Sequence, residues 1–246
     1  MHLRSLVSIF TLLAAGAAHA GLPQSMRVSA LQPFAGAASV PAAPWRVDGL
    51  PRQTKPFTRF SVVDLDGLRA LRVEADSSYG NLVHPLALPD PPHHLAWTWR
   101  VDEPILAADL RRREGDDIAL KVCTLWDMPI ERVPFAERQL LRWARSRAGE
   151  PLPAATVCYV WDNHLARDTQ LVSAFTGRVR YLVLRGGGDP LHHWEHEQRD
   201  IVADFVQLFG DEAGSVPPLV GVAVGADTDN THSHSLAHAA ALQLLP

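Results

Sequence analysis

Cysteine is scarce: Cys123 and Cys158 are the only two in 246 residues. That excludes a disulfide-dense small scaffold and a cysteine-ligated zinc module. Long apolar runs are lacking too. Leu6 to Ala15 forms one near the start, well short of the ~20 residues a membrane helix needs. Basic excess is also missing, since 23 Lys and Arg face 27 Asp and Glu for a formal net charge of −4. Phosphate backbones are held by positive fields, so nucleic acid is not an expected partner. Neither a G-x-x-x-x-G-K-S/T phosphate loop nor a G-x-S-x-G nucleophile elbow occurs.

The chain opens "MHLRSLVSIFTLLAAGAAHA". Arg4 gives a positive start, and Ala18-His19-Ala20 fits an A-x-A cleavage site. Residues 1–20 therefore read as a signal peptide, and the expected location is periplasmic or secreted. Residues 21–44 are rich in Ala, Pro, Gly and Ser and read as a loose lead-in. Residues 45–246 read as a single domain.

Short β-branched and aromatic runs recur through that domain between Gly, Pro, Asp and Asn. In "HLAWTWRV", Leu95, Trp97, Trp99 and Val101 share one face. In "DDIALKVCTLW", Ile118, Leu120, Val122 and Trp126 do so. Period two demands strands with a covered face. The expected fold is all-β with minor α: an antiparallel β-sandwich, jelly-roll-like, with two short peripheral helices. One helix reads from Pro134 to Gly149, with Ala136, Leu140, Leu141 and Ala144 as its apolar stripe. The other reads from an Asp200 cap to a stop at Gly210. Cys123 and Cys158 both fall in strand-like runs. A disulfide and two separate buried thiols are both open there.

Chemistry-bearing residues are few. His192, Glu195 and His196 match H-x-x-E-H, which holds zinc when a helix turns both histidines one way. No third ligand is suitably spaced, so this is a weak metal candidate. Asp227-x-Asp229-x-Thr231 begins like a calcium loop, yet His232 stands where the glycine belongs and His238 where the glutamate belongs. A turn satisfying its own backbone competes with a cation there. No cofactor is expected, with calcium and zinc as the alternatives. Asp116 and Asp117 adjoin each other, and Arg111-Arg112-Arg113 stands near enough to neutralise them.

Taken in order, "WTWRVD", "RRREGDDIALKV", "TVCYVWD", "VRYLVLRGG", the W-E-x-x-x-R-D-I-V-A-D-F stretch and "GVAVGADTDNT" resemble an uncharacterised bacterial family, domain of unknown function 3047. The resemblance runs from about Trp45 to the end and brings no activity with it. It places Gly115, Asp116, Asp117, Trp161, Arg185, Trp194, Glu195, Arg199, Asp204, Asp227, Asp229 and Asn230 in matching pieces, and leaves the extra histidines outside. The ligand-binding candidates are accordingly Asp116, Asp117, Arg185, Trp194, Glu195, Asp227, Asp229 and Asn230. A binding domain for carbohydrate, cell-envelope glycan or another small polar ligand is the leading expectation. A metal-assisted or acid-pair hydrolase and an envelope scaffold without a small ligand are its alternatives.

Overall fold

The structure is a computed structural model and describes residues 31–34, 39–147 and 152–246. The proposed signal peptide lies outside these. In chain order the elements are β1 (Arg46–Asp48), β2 (Arg59–Leu65), β3 (Leu68–Asp76), β4 (Tyr79–Leu88), β5 (His94–Glu103), β6 (Ile118–Trp126), α1 (Phe135–Arg145), β7 (Ala155–Trp161), β8 (Gln170–Val172), β9 (Val179–Arg185), β10 (Glu195–Asp200), α2 (Ile201–Ala213), β11 (Leu219–Asp227) and β12 (His234–Leu245). They form two sheets, a seven-stranded one ordered β1-β4-β11-β6-β7-β9-β8 and a five-stranded one ordered β10-β5-β12-β3-β2. The fold is the expected β-sandwich. One pairing departs from antiparallel: β9 runs parallel to β7. The connection 162–178 is long enough to carry the chain back to the starting end, as a parallel pair requires. Among the described residues no helix is long and apolar enough to cross a membrane.

Alternation in β5 places Trp97 and Trp99 inside, both fully buried. Trp97 meets Tyr159 of β7 at 5.2 Å between ring centroids, and Trp99 meets Trp161 at 5.6 Å. These rings join the two sheets, with a tilted or edge-on geometry that favours aromatic pairs. Leu31 and Phe34, in the segment read as a loose lead-in, are buried in the same core.

Helix α2 closes one end of the sandwich. Asp200 caps it by accepting from the backbone N–H of Val202 and Ala203. Ile201, Phe205 and Phe209 face inward, and Phe205 lies 4.8 Å from Trp126. Asp204 is buried beneath it, takes two bonds from Arg199, and accepts from Tyr159 Oη at 2.8 Å. The helix passes Gly210 and ends at Gly214, whose φ of 73° makes it the left-handed stop. Helix α1 starts one residue later than expected, with Pro134 as its cap, and buries only Leu141. Ala136 and Leu140 are exposed, because the helix rests on the rim rather than over a sheet.

Strands β6 and β7 are buried almost throughout, which a sandwich with one wet face does not require. A second apolar cluster on the outer face of the seven-stranded sheet explains it. Cys123, Cys158, Val160, Tyr181, Val183 and Ala223 line that face, and Leu110 and Leu165 fold over it from two loops. Ile118 joins this cluster rather than the main core, beside a register shift between β6 and β11. Cys123 and Cys158 face each other across β6 and β7 and are joined as a disulfide.

Removing the Phe205 ring leaves a cavity under α2. Phe205→Ala is expected to cost about 3–5 kcal/mol, whereas Trp143→Ala on the exposed side of α1 costs about 0.5 or less. Urea unfolding midpoints of the two variants check this.

Candidate functional site

The strand registers bring one set of termini together at the end opposite α2. Tyr79 aligns with Asp227, Asp227 with Ile118, and Trp161 with Arg185. On the other sheet His234 aligns with Asp76, and Leu236 with Glu103. All eight ligand-binding candidates lie at or near this open end. They form two groups rather than one.

Asp117 organises the first group. Its carboxylate accepts from the backbone N–H of Asn230 and Thr231 at 3.1 and 2.7 Å, and from the Thr231 hydroxyl at 2.5 Å. The loop after β11 is thus clamped by Asp117, which precedes β6, and is also closed by a local bond from Ser233 N–H to the Thr228 carbonyl. Asp229 is held by Lys55. Asp227 accepts from Ile118 N–H at 3.0 Å and pairs with Lys121 Nζ at 3.2 Å. Asp116 accepts from the Ser173 and Tyr181 hydroxyls at 3.0 and 3.2 Å. The arginines 111–113 turn outward and neutralise neither acid, so that expectation is corrected: hydroxyl and amide donors, with Lys121, do the work.

Burial raises the Asp227 carboxyl; Lys121 opposes, Asp116 and Asp117 add to the rise, and the balance lies at about 7. Burial pulls Lys121 down, but the charges of Asp227, Tyr79 and Asp116 outweigh it and hold it at about 12. Burial likewise raises Asp116. Lys121 is the residue that sequence reasoning missed. Its signal was a charge in the middle of the apolar strand "IALKVCTLW".

Arg185 centres the second group and makes no pair with Asp117. It binds Glu197 at 2.6 Å, Glu195 at 2.7 Å and Asp189 at 3.3 Å, linking β9 to β10 across the edge of the sandwich. Trp194 lies with its ring 5.6 Å from the Arg100 guanidinium on the outer face of the five-stranded sheet. Residues 195–200 are a strand, so the H-x-x-E-H helix does not form. Adjacent strand residues point oppositely. Glu195 goes to Arg185, His196 to Thr98 and His192 to Asp102. Among the described residues no group of three or more His, Cys, Asp or Glu is placed to hold a metal ion.

Two adjoining hollows open at this same end. One of about 260 Å³ is lined by residues 106–112 with Asp162, His164 and Leu165. The other, about 510 Å³, lies between residues 163–167 and 186–189. His164 and Leu165 line both, making one cleft. Asp162 shapes its floor by accepting from His164 and Leu165 N–H at 2.6 and 2.5 Å. His164 Nε2 donates to the Leu106 carbonyl at 3.1 Å, tying the loops together. The glycines of "RGGGD" let backbones meet: a Cβ at Gly187 would run into the Asn163 carbonyl, and one at Gly186 into that of Leu165. A Cβ at Gly188 meets nothing within 4 Å. Of the seven tryptophans, Trp45, Trp97, Trp99, Trp126 and Trp161 are buried and so offer no exposed stacking platform.

Comparison with known proteins agrees with the ordered motifs. A family model described as "Protein of unknown function (DUF3047)" matches residues 43–243, and the chain belongs to that family. No curated protein matches. Among solved structures, the chain is similar to the xyloglucanase domain of NopAA, a type three effector from Sinorhizobium fredii, in complex with cellobiose. The identity is 9%, the TM-score 0.42, and the match covers 80% of this chain and 91% of that one.

An acid whose native pKa lies above its unfolded value holds its proton more tightly when folded. Its stabilisation is complete below the unfolded value, 3.8 for Asp227, and is lost as pH rises through about 7. The stability advantage of wild type over Asp227→Asn is therefore expected to shrink from pH 4 to pH 8, by up to about 1.4 kcal/mol per pH unit. Urea unfolding across that range checks it; a constant difference contradicts it.

Proposed function

We propose that this family member is an exported binding domain that takes a glycan in the open-end cleft. The observation that carries the reading is the cleft's lining: Asp109, Arg111, Arg112, Asp162, His164, Arg167 and Asp189 surround it, and of its apolar members Leu110 and Leu165 are buried against the sheet, leaving Leu106 and small alanines. Pockets for apolar ligands are lined mainly by hydrophobic and aromatic groups. This one instead suits a ligand dense in hydroxyls, each of which can exchange hydrogen bonds with charged side chains. Export rests on the leader-like residues 1–20, and the Cys123–Cys158 disulfide accords with an oxidising compartment.

A hydrolytic reading would draw its acid pair from Asp117 with Asp227 or Asp229. All three are buried and none lines the cleft. Binding is therefore the reading carried forward.

A glycan array followed by calorimetry on retained sugars tests it. Gly188→Trp places a large ring where a Cβ meets open space, and is expected to weaken binding at least tenfold at an unchanged melting temperature. Gly187→Ala is expected to lower the melting temperature, because its Cβ meets backbone. No retention of any glycan, or full affinity in Gly188→Trp, overturns the proposal.

A further inference from the structure

The charged side chains that line the cleft constrain what it accepts. On one wall stand Arg111 and Arg112, with Arg113 next to them in the chain but outside the lining. Asp109 serves Arg112, whose Nε lies 2.8 Å from its Oδ2. The same carboxylate takes the backbone N–H of Arg111 at 3.2 Å, but no ion pair forms with the Arg111 side chain among the described residues. Arg113 donates to the Ala174 carbonyl at 2.8 Å and lies over the Phe175 ring, with no carboxylate. Glu114, exposed on the turn Arg113–Gly115, does not line the cleft. On the opposite wall stand Arg167 and Asp189. Arg185, outside the lining, and Arg167 share Asp189, Glu195 and Glu197, and Arg167 reaches Glu197 only at 3.6 Å.

The cleft's aspartates already accept bonds. Asp162 holds its own turn, Asp189 takes Gly186 N–H at 2.7 Å, and Asp109 is engaged as above. Bonds from the Arg111 backbone N–H and the Arg112 guanidinium, with the charges of Arg112 and, least, Arg111 behind them, keep the Asp109 carboxyl below its usual range, so it stays ionised and paired. The unspent hydrogen-bonding charge facing the smaller hollow is the Arg111 guanidinium, a planar fork that matches a carboxylate.

We infer that the glycan is acidic, and that its carboxylate seats on Arg111. This rests on the binding reading above and goes beyond it. Such a carboxylate can come from a uronic acid or from the lactyl ether of muramic acid, and the probes separate the two.

Calorimetry with trigalacturonate and its fully methyl-esterified counterpart tests charge on one sugar frame; a GlcNAc–MurNAc disaccharide and cellotriose complete the set. At least one acidic probe is expected to bind ten times or more tighter than the neutral ones, and to weaken as salt rises. Arg111→Gln is expected to lose at least fivefold more affinity for that probe than for neutral sugars, with part restored in Arg111→Lys. Thermal melting of Arg111→Gln guards against misfolding. Preference for trigalacturonate identifies a uronate, and preference for the disaccharide a muramyl lactate. Neither acidic probe binding tighter than the methyl ester and cellotriose, or full affinity for the preferred acidic probe in Arg111→Gln, overturns the inference while leaving glycan binding intact. Loss of all sugar binding overturns both.

Discussion

The outer face of the seven-stranded sheet is apolar, and water cannot be left against it. At ~25 cal/mol for each Å² of apolar surface, uncovering residues such as Cys123, Val160, Tyr181 and Val183 would cost several kcal/mol. The chain meets this demand with two loops. Leu110 brings down the segment before β6, and Leu165 brings down the segment after β7. Once seated, those loops have backbone and charged side chains left over on their outer sides. The cleft is the space between them, so a packing requirement in the interior produces a charged cleft outside.

Division of labour between the ends of the sandwich follows from the same economy of burial. Trp126, Phe205 and Phe209 close one end under α2, and Arg180 packs over Phe209 at 4.1 Å while pairing with Glu212. Among the described residues no α-helix covers the other end. It is held instead by polar bonds between sequence-distant loops: Asp117 to Asn230 and Thr231, Lys55 to Asp229, Arg185 to Glu197. Ionised groups that are buried must be paired or hydrogen-bonded, and those here are. Asp116, Asp117 and Asp227 thus brace the loops from behind, while arginines and backbone groups face the cleft.

Much of the fold was legible in the residues, because its signals are local. Alternation around Trp97 and Trp99 reports a covered face, and Asp200 ahead of Ile201 reports a helix cap. The parallel pairing of β9 with β7 was not legible, since register is set by contacts far apart in sequence. "HHWEH" misled because i and i+4 converge only on a helix; the preceding Gly-rich turn starts a strand instead. The site was half legible. Asp117, Asp227 and Asn230 meet, whereas Arg185 has its own carboxylates. Arg111 was noticed only as a neutraliser of nearby acids. Its actual freedom depends on which way the loop turns, and Leu110 decides that by facing the sheet.

The central claim is that recognition belongs to three loops at the uncapped end. Hydrogen exchange of the intact protein, with and without saturating trigalacturonate, localises the contact directly. Slowed exchange in residues 106–112, 163–167 and 186–189, with α1 and the outer face of the five-stranded sheet unchanged, is the expected pattern. Protection centred on α1 around Phe135 and Trp143, with those loops unaffected, would contradict the account.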